Sequence, residues 1–242
     1  IEEKRCFLSL DEAVQGLEAD LAICTLRTEA HYPVVKRCLE LGLNVIVEKP
    51  CASTIAQGRE LVELAKANGR VLMVSQNYRF QPAPIAAAEL IGAQKFGPVN
   101  LVSIDFRRHA PSQGYRYWDM PDPLLADMSI HHFDLMRMVL NDNPKRVSCR
   151  TWNPAASPFG HHPIGVATLE FEQGTIVSYR GSWMSSGPVT PWSGEWTMDC
   201  SEGEIIWSSR DHFMGKAGPD KLSLRERDKD AVAFPLEPIE FA

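Results

Sequence analysis

Two groups of residues carry side chains whose types and spacing could do chemistry. Within residues 124–140, Asp127, His131 and Asp134 recur at intervals of four and three among Leu, Met, Ile, Val and Phe. At about 100° per residue on a helix, the three fall within about 60° of one another. A carboxylate and an imidazole are unfavourable to bury without partners, so this polar stripe is either a satisfied structural network or a site. His132 points away from the stripe and reads as a packing or hydrogen-bonding residue. The second group is Glu48-Lys49-Pro50, which ends the apolar run Leu43-Asn44-Val45-Ile46-Val47. A strand leaving the core could finish on Glu-Lys for no further reason. In open α/β sheets, however, ligands sit outside the carboxyl ends of the strands, which is where Glu48 and Lys49 fall.

The elements that must position these groups follow from local signals. Residues 43–47, bounded by Gly42 and Pro50, predict a central parallel strand covered on both faces. Before it, residues 6–8 predict a short strand, Ser9 to Glu12 has capping-box spacing for a helix to about Leu17, and residues 21–25 form the next strand. A helix from about Glu29 carries Val34, Val35, Cys38, Leu39 and Leu41 on its apolar side and stops at Gly42. After the central strand, Thr54 to Gln57 opens another capped helix that ends at Asn68-Gly69, and residues 71–75 form a further buried strand. Such alternation with short links means a parallel sheet with right-handed crossovers. Its strand ends gather Thr25, Glu48, Lys49, Gln76 and Asn77 on one edge.

The texture shifts after Asn77-Tyr78-Arg79-Phe80. Residues 86–91 predict a short helix, 99–107 a half-exposed strand and 124–140 one continuous helix. Strands follow at 146–151, 166–171, 175–182, 196–200 and 204–208, forming a largely antiparallel sheet with helices on one side. Beyond Ser208 the chain thins into charged turns and reaches Ala242 with no closing element. The expected fold class is therefore α/β, an incomplete Rossmann-type parallel sheet in residues 1–78 followed by an α+β domain, truncated at its end, in residues 79–242.

Composition narrows the function classes. The 242 residues are 44% hydrophobic and 23% charged with net charge −6, as in an ordinary globular protein. An acidic balance without basic clusters argues against nucleic acid or an anionic membrane as a partner. No apolar stretch is long enough to span a bilayer. Cys6, Cys24, Cys38, Cys51, Cys149 and Cys200 are scattered without CxxC pairs and read as core thiols of a reducing compartment, with a cytoplasmic location expected. A dinucleotide sheet should open on a glycine-rich turn, yet no G-x-G-x-x-G occurs and the chain begins at Ile1.

Three stretches in order resemble the glucose-fructose oxidoreductase / inositol dehydrogenase (Gfo/Idh/MocA) family: Val47-Glu48-Lys49-Pro50, Asn77-Tyr78-Arg79-Phe80-Gln81-Pro82, and Asp127-Met128-Ser129-Ile130-His131-His132-Phe133-Asp134. Thr25 to His31 is similar to that family's T-P-x-x-x-H segment, and Ser193 to Gly203 resembles its later strands. The resemblance implies a nicotinamide-dependent oxidoreductase using NAD or NADP on a sugar, polyol or related small molecule. It also implies homo-oligomers built through the C-terminal sheet. Lys49 would match the catalytic lysine, with the Lys49-Pro50 bond often cis, His131 the catalytic histidine and Asp127 its accompanying aspartate. Thr25, Leu26, Arg27, His31, Glu48, Lys49, Pro50 and Asn77 would meet the cofactor. Lys49, Arg79, Asp127 and His131 would meet the substrate. The chemistry agrees, because oxidising a secondary alcohol needs a base for the hydroxyl proton, and imidazole titrates near neutral pH. Lys49 can stabilise charge developing on the same oxygen, while Asp127 would orient the imidazole or bind a substrate hydroxyl.

Departures from the family pattern are Leu26-Arg27 in place of Pro-Asn and Ser129 in place of Gly. The resemblance also implies that a first βαβ unit precedes Ile1 and a closing segment follows Ala242, which makes this an internal fragment expected to hold NAD weakly by itself. Three other functions fit parts of the sequence: redox-neutral use of NAD by a dehydratase or glycosidase, a non-catalytic cofactor-binding sensor, and a metal enzyme using Asp127, His131, His132, His161 and His162. Adjacent histidines point apart on a helix, which is poor ligand geometry. Tyr115, Arg116, Tyr117, Trp118 and Trp183 could line a sugar pocket, or simply pack in a core.

Overall fold

The structure, a computed structural model, describes residues 6–109, 120–213 and 216–238. It divides into two compact units, Ile1–Gln76 and Asn77–Ala242. Tyr115, Arg116, Tyr117 and Trp118 lie outside the described residues.

In the first unit α1 (Leu10–Gly16) precedes β1 (Leu21–Cys24), α2 (Thr28–Glu40), β2 (Asn44–Glu48), α3 (Ile55–Ala67) and β3 (Leu72–Ser75). Ser9 and Thr54 cap α1 and α3 by accepting from the backbone N–H three residues on, as their spacing predicts. Gly42 follows α2 with φ 79°, the left-handed conformation that glycine adopts without strain. The strands form a parallel sheet in the order β1-β2-β3, with Cys24 beside Val47 and Glu48 beside Ser75.

Three expectations for this unit fail, one being the buried strand over residues 71–75: β3 contains no buried residue, and Val71 and Met73 are exposed. Residues 6–8 form no strand: Phe7 and Leu8 are exposed, with no neighbouring chain among the described residues to complete a ladder. The central strand is covered on one face instead of two. Val45 and Val47 are buried, whereas Asn44, Ile46 and Glu48 are not. Sequential strand order explains this, since right-handed crossovers from β1 to β2 and from β2 to β3 put α2 and α3 on the same side. The other face leaves Ile23 and Met73 exposed.

The second unit begins with a 3₁₀ turn at Asn77–Phe80, then α4 (Pro82–Gly92), β4 (Val99–Arg107), a π turn (Leu124–Met128), α5 (Ser129–Leu140), β5 (Pro144–Trp152), β6 (Ile164–Phe171), β7 (Ile176–Ser182), β8 (Glu195–Cys200) and β9 (Gly203–Ser208). Four short strands follow, β10 (His212–Phe213), β11 (Lys216–Ala217), β12 (Lys221–Glu226) and β13 (Val232–Ala233). An eight-stranded sheet runs β13-β12-β9-β8-β4-β7-β6-β5, antiparallel except where β4 meets β7. The tail expected to thin into turns thus adds β12 and β13 to the sheet, with Leu222 packed into the core. Strict alternation on the inner face buries Val102, Ile104 and Phe106 from β4 and Trp196 and Met198 from β8. Leu135, Met136 and Val139 of α5 join the same core, as does Trp183, which meets Phe106 edge-on.

The expected single helix over 124–140 is two segments. The Ser129 N–H reaches back five residues to the Leu124 carbonyl, closing a π turn that carries Asp127 before α5 starts. Leu124, Met128 and Ser129 are all buried across this turn. Cysteine placement is mixed as well. Cys24 and Cys38 are buried thiols, but Cys6 and Cys149 are exposed, the latter because β5 is the sheet's edge strand.

Candidate functional site

In the first unit the carboxyl ends of β1 and β2 are tied together by one side chain. His31, buried on α2, faces the Pro50 carbonyl with Nδ1 at 2.8 Å and the Leu26 carbonyl with Nε2 at 2.9 Å. A neutral imidazole has one N–H and donates to one of these at a time, whereas an imidazolium donates to both. His31 therefore fastens the loop Thr25-Leu26-Arg27 to the peptide after Lys49. The Lys49-Pro50 bond is cis. Glu48 Oε2 accepts from the Lys49 backbone N–H at 3.3 Å. Thr25, Glu48, Lys49 and Gln76 accordingly sit at or beside adjacent ends of one parallel sheet.

In the second unit the polar stripe splits into groups with different settings. The π turn presents Asp127, and α5 presents His131, whose ring lies parallel to Tyr78 with centroids 4.0 Å apart and planes 5° apart. Burial pushes the Tyr78 hydroxyl up, opposed by the charge of Arg210 and a hydrogen bond from it, and by the charge of Arg108, while Asp127 adds to the rise. Asp127, His131, Arg108 and Arg210 thus surround one tyrosine. Asp134 is engaged elsewhere: Arg79 grips it with Nε at 2.9 Å and Nη2 at 2.6 Å. Asn77 opens the 3₁₀ turn that carries Tyr78 and Arg79.

His132 is fully buried and wholly committed. Its Nε2 lies 3.0 Å from the Trp192 carbonyl, which only accepts, so Nε2 carries the proton. Nδ1 is then the acceptor and takes the Tyr179 hydroxyl proton at 3.0 Å, leaving Ser129 Oγ to donate to Tyr179 at 2.7 Å. Burial holds the His132 ring down at about 4, partly opposed by its bond to Trp192, and pushes the Tyr179 hydroxyl up. Ser129, the departure from the family's glycine, is the far end of this network. His162 pairs with Asp122 at 3.2 Å, and among the described residues no group of three or more His, Cys, Asp or Glu could hold a metal.

Tyr78, Arg108 and Arg210 were not singled out by sequence reasoning. Arg108 carries a signal: it continues the alternation of Val102, Ile104 and Phe106 and so must point inward. Tyr78 sits in an irregular turn without periodicity, and Arg210 follows β9 with φ 59°, which nothing local announces.

Comparison with known proteins matches both units of the chain. Residues 2–76 match an oxidoreductase family with an NAD-binding Rossmann fold, and residues 85–206 match the GFO/IDH/MocA C-terminal domain. The chain is 26% identical over 216 residues to an uncharacterized protein of Sinorhizobium fredii, covering 88% of this chain and 59% of that protein. It is 24% identical over 235 residues to the 1,5-anhydro-D-fructose reductase of Ensifer adhaerens, covering 95% of this chain and 68% of that one. It superposes with TM-score 0.77 on an inositol dehydrogenase homolog of Azotobacter vinelandii, solved with NADH and myo-inositol, at 20% identity, covering 90% of this chain and 58% of that one. With both units matched in order, the chain belongs to the Gfo/Idh/MocA family of NAD-binding oxidoreductases.

Proposed function

We propose that this protein is an NAD(P)-dependent dehydrogenase that moves a hydride between the nicotinamide and a secondary alcohol or carbonyl of a sugar, polyol or related small molecule. In this reading residues 1–78 belong to the cofactor domain and residues 79–242 form a substrate and oligomerisation domain. The carboxyl edge of the parallel sheet suits the nicotinamide side of NAD or NADP, since it offers Thr25, Glu48 and Lys49 at strand ends and a loop pinned by His31. Leu26, Arg27, Pro50 and Asn77 complete the cofactor-side set. When bound, the nicotinamide accepts or donates the hydride. His131 takes the hydroxyl proton, Lys49 stabilises charge on the substrate oxygen, and Asp127 orients the imidazole or holds a neighbouring hydroxyl. Arg79, gripped by Asp134, lies one residue from the tyrosine under His131 and serves the substrate side.

The observation that carries this reading is the setting of His131, an imidazole 6% exposed and held flat against Tyr78, following directly on the π turn that presents Asp127. The test is a nicotinamide-absorbance screen of the full-length protein over cyclic polyols and aldoses with NAD and with NADP. Turnover with a net change in cofactor redox state is expected. Substrate conversion with no net cofactor change would favour redox-neutral catalysis.

Two further elements of the proposal concern the whole protein. The outer face of the eight-stranded sheet exposes Leu101, Trp152 and Val166, an apolar surface suited to a second copy of the chain, which light scattering would detect. The cysteines are free thiols, consistent with the cytoplasm. Among the described residues no helix is long and apolar enough to cross a membrane.

A further inference from the structure

Tyr78 is enclosed between two groups that come from distant parts of the second unit. On one face the His131 imidazole lies parallel to it, with centroids 4.0 Å apart and planes 5° apart. Over the other stands the Arg210 guanidinium, 4.3 Å from the ring centre, which also donates a hydrogen bond to the Tyr78 hydroxyl. The tyrosine is 7% exposed and belongs to the main core of this unit, so its ring has little freedom to turn. Arg210 is equally constrained. Its backbone is left-handed, its N–H donates to Asp220 Oδ1 at 3.1 Å, and its carbonyl accepts from the Trp192 N–H at 3.2 Å. The other Asp220 oxygen accepts from the Ala83 N–H at 3.0 Å, at the start of α4 and just past the turn that carries Tyr78. One carboxylate thus fastens the segment that supplies Arg210 to the segment that supplies Tyr78.

A stack and a charge act differently on an imidazole. A flat ring at this separation fixes the plane of His131, and a general base must be held in orientation to reach a hydroxyl proton. The guanidinium does not itself meet a ligand at His131, because the Tyr78 ring stands between them. Its charge still acts across that ring: guanidinium and imidazole are at most about 8 Å apart, a range over which charges inside a protein interact. A cation there opposes protonation of the imidazole and favours the neutral form, which is the one that accepts a proton. The other charged groups of the cluster divide by sign. Asp127 on the π turn favours the imidazolium, Arg108 just after β4 acts with Arg210, and Asp211 acts against Arg108. Arg79 and Asp134 are paired with each other.

We propose that Tyr78 and Arg210 are positioning residues for His131: the tyrosine ring sets the plane of the imidazole, and the guanidinium behind it favours the neutral, proton-accepting form. The proposal rests on His131 being the proton acceptor of the reading above, and it adds what prepares the imidazole for that role.

The acidic limb of the pH profile of kcat/KM, for alcohol oxidation by the full-length protein, reads the charge of His131. Arg210→Met should move that limb up by about 0.5–1 pH unit, and Arg210→Lys, which keeps the charge, should return it most of the way. Tyr78→Leu should slow single-turnover hydride transfer by about tenfold or more, with Tyr78→Phe restoring most of the loss because a flat face remains. If Arg210→Met melts well below the parent, Arg210→Gln keeps a donor for the Tyr78 hydroxyl and carries the same expectation. Nuclear magnetic resonance titration of the His131 ring in the same variants, without substrate, should show the same shift and needs no turnover. A limb and a ring titration that both stay in place in Arg210→Met, or a Tyr78→Phe variant as slow as Tyr78→Leu, would overturn the proposal. So would a rate lowered equally at every pH in Arg210→Met, which is what a purely structural arginine gives. A ring titration that moves while the limb does not breaks the assignment of His131 as proton acceptor and leaves the effect of Arg210 on the ring intact.

Discussion

The two sides of α5 at its first turn differ in how completely their polar atoms are used. On one side His132 spends both ring nitrogens, Tyr179 is bonded twice and Ser129 closes the chain of donors. On the other, His131 is held by stacking on Tyr78 while Arg108 and Arg210 keep buried N–H groups without acceptors among the described residues. Adjacent residues of one type thus have different settings, one inside a hydrogen-bond network and one stacked on a tyrosine. A closed hydrogen-bond network has nothing left to offer a ligand, and its value is rigidity. The group around Tyr78 is held by ring stacking and charge instead.

The contrast can be broken or sharpened by substitution. The largest expected effect lies in the first unit, where Lys49→Met should lower kcat of the full-length protein by about 10²–10³ with little change in melting temperature. Steady-state kinetics with the substrate found by screening, beside a thermal melt, checks both halves of that statement. Next comes acid destabilisation through His132. Its ring is held at about 4 in the fold against 6.5 in the unfolded chain. Between these values the unfolded chain binds a proton that the folded one refuses. The stability contributed is therefore complete above about pH 6.5 and is lost as pH falls toward about 4, amounting to about 3 kcal/mol at most. Urea midpoints at two pH values report it, and His132→Phe should flatten this component of the profile.

A neutral substitution there is itself unfavourable. His132→Phe leaves the Trp192 carbonyl without its donor and Tyr179 without its acceptor, a loss of about 2–3 kcal/mol for buried polar groups. The smallest effect belongs to Ser129→Gly, which restores the family's residue but removes one hydroxyl from the network and adds backbone freedom in the first turn of α5. About 1–2 kcal/mol of stability should be lost while kcat stays within about threefold. A large fall in kcat would mean that the network positions His131 as well as the core.

How much of this was legible in the sequence depends on whether periodicity reports the interaction. Val45 and Val47, Val102 through Phe106 and the caps at Ser9 and Thr54 follow from spacing and local chemistry, so the strands and helices were readable. Coverage of β2 was not, because an apolar run looks the same whether one face or two is packed within the chain. The π turn was invisible too, as its closure depends on how Leu124 and Met128 fit the core together. Lys49, Asp127 and His131 stood out by motif. Tyr78 reaches His131, and Arg210 reaches Tyr78, through tertiary packing between an irregular turn and the segment after β9, a relation that no local pattern encodes. The strands β12 and β13 were missed because a short alternation rich in charge is shared by strands and turns alike.

The most direct test of the account is a paired measurement of hydride transfer and thermal stability in His131→Gln and His132→Gln of the full-length protein. The account predicts that His131→Gln slows single-turnover hydride transfer by about 10²-fold or more with melting nearly unchanged, and that His132→Gln melts earlier while its folded fraction transfers hydride within about threefold of the parent. Hydride transfer that is unaffected in His131→Gln, or that falls equally in both variants, would contradict it.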